Sequence, residues 1–71
     1  MNAEHLVKMA NEIGSFFAAG NDDTVAAGLI ADHLRRFWDP RMRRQITAYL
    51  ESGGAGLSAP ARRAVELLRA S

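Results

Sequence analysis

Two groups of residues in this chain carry side chains capable of chemistry. One is a histidine beside an aspartate, Asp32-His33. The other is a run of arginines, Arg35, Arg36, Arg41, Arg43 and Arg44, set around Phe37-Trp38-Asp39-Pro40. A catalytic histidine needs a carboxylate to orient it or a nucleophile to serve. On a helix Asp32 points about 100° away from His33, which makes it a poor orienter. His33 is therefore expected to be a packed, partly buried residue bonded to a backbone carbonyl. His5, near the start, is expected at the surface. The two histidines lie 28 positions apart and form no metal-ligand pattern. The chain has no cysteine, which removes disulfides and thiolate-held zinc or iron–sulfur clusters. No pair of carboxylates is spaced for acid–base work. Gly53-Gly54-Ala55-Gly56 follows no strand and reads as a linker rather than a phosphate loop.

The arginine group is the more distinctive feature. It frames a helix end, a sharp corner at Asp39-Pro40 and a new helix start. A helix N-terminus offers free N–H groups and a positive dipole end, and five guanidinium groups surround this one. Such a corner suits an acidic surface, a carboxylate or a phosphate. Trp38 stands at the edge of its apolar stripe, at the last position before the turn, and is expected to be exposed. A tryptophan ringed by arginines is typical of an interface centre. Arg35, Trp38, Asp39, Arg41 and Arg44 are thus the candidate partner-binding residues. The plainer alternative is a solvated face paired internally with Asp32, Asp39 and Glu51.

The elements that must position these residues are four. Apolar side chains recur with helical spacing and nowhere with convincing strand alternation. Over 3–19, Leu6, Met9, Ala10, Ile13, Phe16 and Phe17 share one face, and Glu4, Lys8, Asn11, Glu12 and Ser15 the other, with Glu4–Lys8 as an i,i+4 pair. Gly14 sits mid-helix at the edge of the stripe, where it permits close approach of another helix. Gly20-Asn21 ends the helix. Asp22, Asp23 and Thr24 offer caps for a second helix over 23–38, with Ala26, Leu29, Ile30, Leu34 and Phe37 inward and Asp32 and Arg36 outward. Asp39 then caps, and Pro40 opens, a third helix over 40–51 carrying Met42, Ile46, Tyr49 and Leu50. The glycine-rich stretch 52–57 reads as a flexible linker. Ser58 or Ala59, then Pro60, start a fourth helix over 59–69 with Ala61, Ala64, Val65, Leu67 and Leu68 inward. The reading is all-α: one single-domain bundle of four short helices spanning 1–71.

A 71-residue chain buries only about 60% of its unfolded surface. Its core supplies roughly 3–5 kcal/mol at best. Without disulfide or metal, a partner is the expected source of further stability. The net charge is +1 with a pI near 8.4, but its distribution is uneven. Residues 1–34 carry one lysine against five carboxylates, net −4, and residues 35–71 eight arginines against three, net +5. That split would orient the chain on an acidic partner, with the front half repelled and the arginine half engaged. A tight turn between helices superficially resembles a helix-turn-helix. The near-neutral charge and scarcity of base-reading side chains count against nucleic acid. No apolar run approaches the 18 residues of a membrane span, and the start lacks a signal-peptide pattern, so a cytoplasmic chain is expected.

Three blocks resemble a known family. Lys8-Met9-Ala10-Asn11-Glu12-Ile13-Gly14, followed by Phe16-Phe17, looks like the opening of the delta subunit of NAD-dependent formate dehydrogenases. Ile30-Ala31-Asp32-His33-Leu34-Arg35-Arg36-Phe37-Trp38-Asp39-Pro40-Arg41-Met42-Arg43 resembles that family's central signature. Gly56-Leu57-Ser58 with Pro60 resembles its C-terminal part. The resemblance implies a small subunit that holds no cofactor. It would sit in a molybdenum- or tungsten-containing complex whose large alpha subunit carries molybdopterin guanine dinucleotide and iron–sulfur clusters. Beta and gamma subunits would carry FMN and further clusters and reduce NAD. The expected role is docking on the alpha subunit and supporting its stability or cofactor maturation. The alternatives are a dissociable assembly factor for the same enzyme and, from another class, a small nucleic-acid-binding regulator.

Overall fold

A computed structural model describes residues 2–70. Four helices follow one another: α1 (Ala3–Ala18), α2 (Asp23–Phe37), α3 (Pro40–Glu51) and α4 (Ala59–Ala70). No strand occurs among the described residues. Every start is set by a side chain that satisfies an orphan N–H of the first turn. Asn2 accepts from His5 N–H at 2.8 Å, Asp22 from Val25 at 2.9 Å and Asp39 from Met42 at 2.9 Å. Ser58 Oγ accepts from Ala61 at 3.4 Å. The stops are equally local. Gly20 takes φ +83°, a conformation costly for any residue with a Cβ, and Asn21 Nδ2 donates to the exposed Phe17 carbonyl at 2.9 Å. Pro40 forbids α2 from continuing through the corner.

α2 and α4 form the most extensive helix pair. Ala26, Ala27 and Ala31 on α2 and Ala61 and Ala64 on α4 are all buried, and small side chains let two helix axes approach. Ile30, Leu34 and Val65 fill the remaining space, with Leu6, Val7 and Ala10 from α1 and Ile46 and Leu50 from α3. α1 packs across α2 and also meets α3 and α4. α2 and α3, although consecutive, make the least contact of any pair, because α3 swings away at the corner to lie against α4 and α1.

Several residues depart from the helical-wheel expectation. Trp38 is buried, at 4% exposure, not exposed. The backbone there is extended (φ −87°, ψ 137°), so its indole no longer follows the phase of α2 and turns into the core. Phe16 and Phe37, both expected inward, are 76% and 71% exposed. The buried centre of α1 lies at Leu6, Val7, Ala10 and Gly14, and Phe16 is two positions, about 200°, around from Gly14. Phe37 has a core-facing phase, but α3 has swung away and leaves that flank bare. Leu29 and Leu67 are likewise more than 40% exposed, at the margins of stripes wider than the grooves that receive them. Asn11, expected on the outer polar face, is half-buried. Its amide donates to Gly56 O at 2.8 Å and accepts from Ser58 N–H at 2.9 Å.

The stretch 52–57 is held from three sides. Tyr49 Oη donates to Ala55 O at 2.7 Å, Arg62 Nη2 to Gly53 O at 3.0 Å and Gly54 O at 2.8 Å, and Asn11 to Gly56 O. Leu57 inserts into the core.

Candidate docking surface

Five large hydrophobic side chains are exposed among the described residues: Phe16, Val25, Leu29, Phe37 and Leu67. Val25, Leu29 and Phe37 fall with His33 on one i,i+4 row of α2. Rings join that row to α1. Phe16 meets Phe17 edge-on at 5.3 Å between centroids, Phe17 meets His33 at 6.0 Å, and His33 meets Phe37 at 4.7 Å. The result is a continuous aromatic ridge crossing α1 and α2, with a shallow hollow of about 410 Å³ beside it lined by Glu12, Ile13, Phe16, Phe17 and His33. His33 is therefore packed, as its stripe position implies, but between two rings. No hydrogen bond from its imidazole to a carbonyl is present among the described residues, contrary to expectation. Asp32 is engaged with Arg36 at 3.1 Å, and Glu12, which lines the same hollow, makes no hydrogen bond to the imidazole among the described residues.

The corner expected to act as one site divides. Asp39 is a helix cap, its carboxylate facing the backbone of Met42. Trp38 lies beneath the surface as a core residue. Arg41 is exposed and takes no part in the adjoining cleft. Arg35 and Arg44 do line that cleft, of about 520 Å³, together with Arg43 and with Arg69 from the far end of α4. Arg43 spans the corner by donating to the carbonyls of Arg35 (3.1 Å) and Trp38, closing the C-terminal end of α2. Sequence spacing missed Arg69, 34 positions beyond Arg35, because only the α2–α4 packing brings it near. Neither Asp39 nor Glu51 pairs with an arginine. Asp32–Arg36 is the only ion pair among the described residues, and Glu4–Lys8 does not form.

Among the described residues no cluster of three or more His, Cys, Asp or Glu could hold a metal, and no helix is long and apolar enough to cross a membrane. The chemistry on offer is contact chemistry: a broad aromatic surface on one flank and unpaired guanidinium groups on another. This arrangement accompanies a match to the NADH-dependent formate dehydrogenase delta subunit family, FdsD, over residues 5–65. The chain belongs to that family. The match takes in α1 from its third residue, α2 and α3 whole, and runs well into α4, so the ridge falls inside it. No curated protein and no solved structure matches the chain significantly. As a member of a delta-subunit family, the chain is a small subunit of a formate dehydrogenase complex, and its helical fold is the form that subunit takes.

Proposed function

We propose that this delta subunit is non-catalytic and packs on the large alpha subunit of the complex through the Phe16–Phe17–His33–Phe37 ridge. There it stabilises the large subunit or supports its cofactor maturation. The observation that carries the reading is the gathering of exposed rings from two helices onto one face. A monomer of this size gains by burying such rings, each worth about 1.5–3 kcal/mol when taken out of water. Exposed aromatic patches bounded by polar residues mark contact surfaces. The described surface offers contacts, and on this reading formate oxidation and NAD reduction fall to the partners. Molybdopterin guanine dinucleotide, iron–sulfur clusters and FMN would all lie in those other subunits, and the assembly would be cytoplasmic. The corner arginines Arg35, Arg41 and Arg44 would meet the partner outside the ridge, with Asp39 capping the helix and Trp38 packed beneath them.

The test is to isolate the enzyme by an affinity tag on this chain, in native extract. A permanent subunit co-purifies in fixed ratio with the alpha, beta and gamma subunits, and the preparation oxidises formate with NAD. Recovery with an alpha subunit lacking its cofactor, and absence from the active enzyme, would instead identify a dissociable maturation factor. Recovery without any formate dehydrogenase subunit would refute the proposal.

A further inference from the structure

The arginine cleft lies apart from the aromatic ridge and has its own electrostatic peculiarity. Arg35, Arg43, Arg44 and Arg69 converge on it from the ends of α2 and α4 and from the first turns of α3. Not one of the four meets a carboxylate among the described residues. Arg43 is spent on the carbonyls of the corner and Arg35 makes one long bond, 3.4 Å, to Leu67 O. Arg44 and Arg69 donate to no described group. Four like charges around one hollow repel one another, and a counter-charge inside it relieves them. Guanidinium groups pair carboxylates and phosphates bidentately, which ammonium groups do not. Pro40 and Leu68 contribute apolar lining, and such surface suits the methylene stems of Glu or Asp better than a bare phosphate.

We infer that this cleft receives a carboxylate-rich segment of a partner subunit, as a second contact independent of the ridge. The inference rests on the reading of the chain as a docking subunit. Protein is favoured over nucleic acid by the charge pattern. Asp22 and Asp23 stand at the opposite end of α2, about 20 Å from Arg35 at 1.5 Å per residue. They would repel a polyanion that extends past the cleft, whereas a short acidic segment stays within it. The net charge of the whole chain is only +1.

The test uses the full chain and fluorescein-labelled hexaglutamate, followed by anisotropy at low and rising salt. Hexaglutamate is expected to bind, more weakly as salt rises. Arg44→Glu/Arg69→Glu should weaken it about tenfold or more, and Arg44→Gln/Arg69→Gln serves if the reversal fails to fold. A ridge variant, Phe16→Ser/Phe37→Ser, should bind hexaglutamate like the wild type, so loss of ridge docking and loss of cleft binding are told apart. The reversed chain should also join the purified alpha subunit about tenfold more weakly at low salt, with the gap closing at high salt. The inference fails if folded, arginine-depleted chain binds hexaglutamate as well as the wild type. It fails equally if random duplex DNA displaces the labelled peptide at lower concentration than unlabelled hexaglutamate does, since the cleft would then be a nucleic-acid surface.

Discussion

Asn11 holds together parts of the chain that share no helix. Its amide both donates to Gly56 O and accepts from Ser58 N–H, so one side chain fixes the end of the α3–α4 loop and the start of α4 against α1. Replacing it by alanine leaves two partly enclosed backbone groups without partners, and the expected cost is about 1–3 kcal/mol. A urea midpoint that falls while the slope stays constant would record it; an unchanged midpoint would mean water substitutes fully. Trp38→Ala should cost more, about 3–5 kcal/mol, because it empties a large core site. Loss of partner binding in that variant would therefore report lost structure unless helicity is retained. Both residues escaped the sequence pattern for a physical reason. A helical wheel sorts residues by phase, but Trp38 sits where the backbone has left the helix, and Asn11 earns its burial from a loop 45 positions away. His33 was legible as a packed residue from its stripe alone; its place between the rings of Phe17 and Phe37 was not, because that depends on how α1 crosses α2.

Helix limits come almost entirely from local chemistry, which is why they could be read from the chain. Asp22, Asp39-Pro40 and Ser58-Ala59-Pro60 place the starts where the structure has them, and the ends fall within one residue of expectation. The glycines sort into different roles that composition cannot separate. Gly54 has φ +64°, and a Cβ there would meet Leu50 Cδ1 at 3.0 Å and the Arg62 guanidinium at 3.1 Å. Gly54→Ala should destabilise the fold by about 1–3 kcal/mol through backbone strain and displacement of the arginine that ties the loop. Gly28 lies in the interior of α2 with nothing near its missing side chain. Gly28→Ala should stabilise the chain by about 1 kcal/mol through helix propensity. Thermal melts of the two variants should move in opposite directions; a shared direction would mean that the loop at Gly54 is not the rigid connection its hydrogen bonds describe. Gly14 is buried, and a Cβ added there would meet Ile30, Ser58 and Ala61 at 3.6–3.7 Å, ordinary contact distances, so the packing does not require glycine at this position.

On the scale of the molecule, 30 × 22 × 18 Å across its principal axes, there is little interior for so many apolar residues. The sequence carries two rings more than the core accepts, and the structure puts them at the two ends of a row, Phe16–Phe17–His33–Phe37, that crosses α1 and α2. The all-helical class and the family could be read from the pattern and from the central block around Trp38. The exposed ridge proposed for docking could not, because exposure depends on which flank α3 leaves uncovered. The excess of apolar candidates over available core was the signal that some must face outward. The charge split has a comparable history: the arginine half was visible, whereas the convergence of Arg69 with Arg35 and Arg44 required the packed bundle. Docking through the ridge is measured by the affinity of Phe16→Ser/Phe37→Ser for the purified alpha subunit, with helicity confirmed by circular dichroism. Loss of two central aromatic anchors should cost at least about 2 kcal/mol, roughly thirtyfold in Kd. A folded double variant that binds as tightly as the wild type would contradict the account and place the contact on another face.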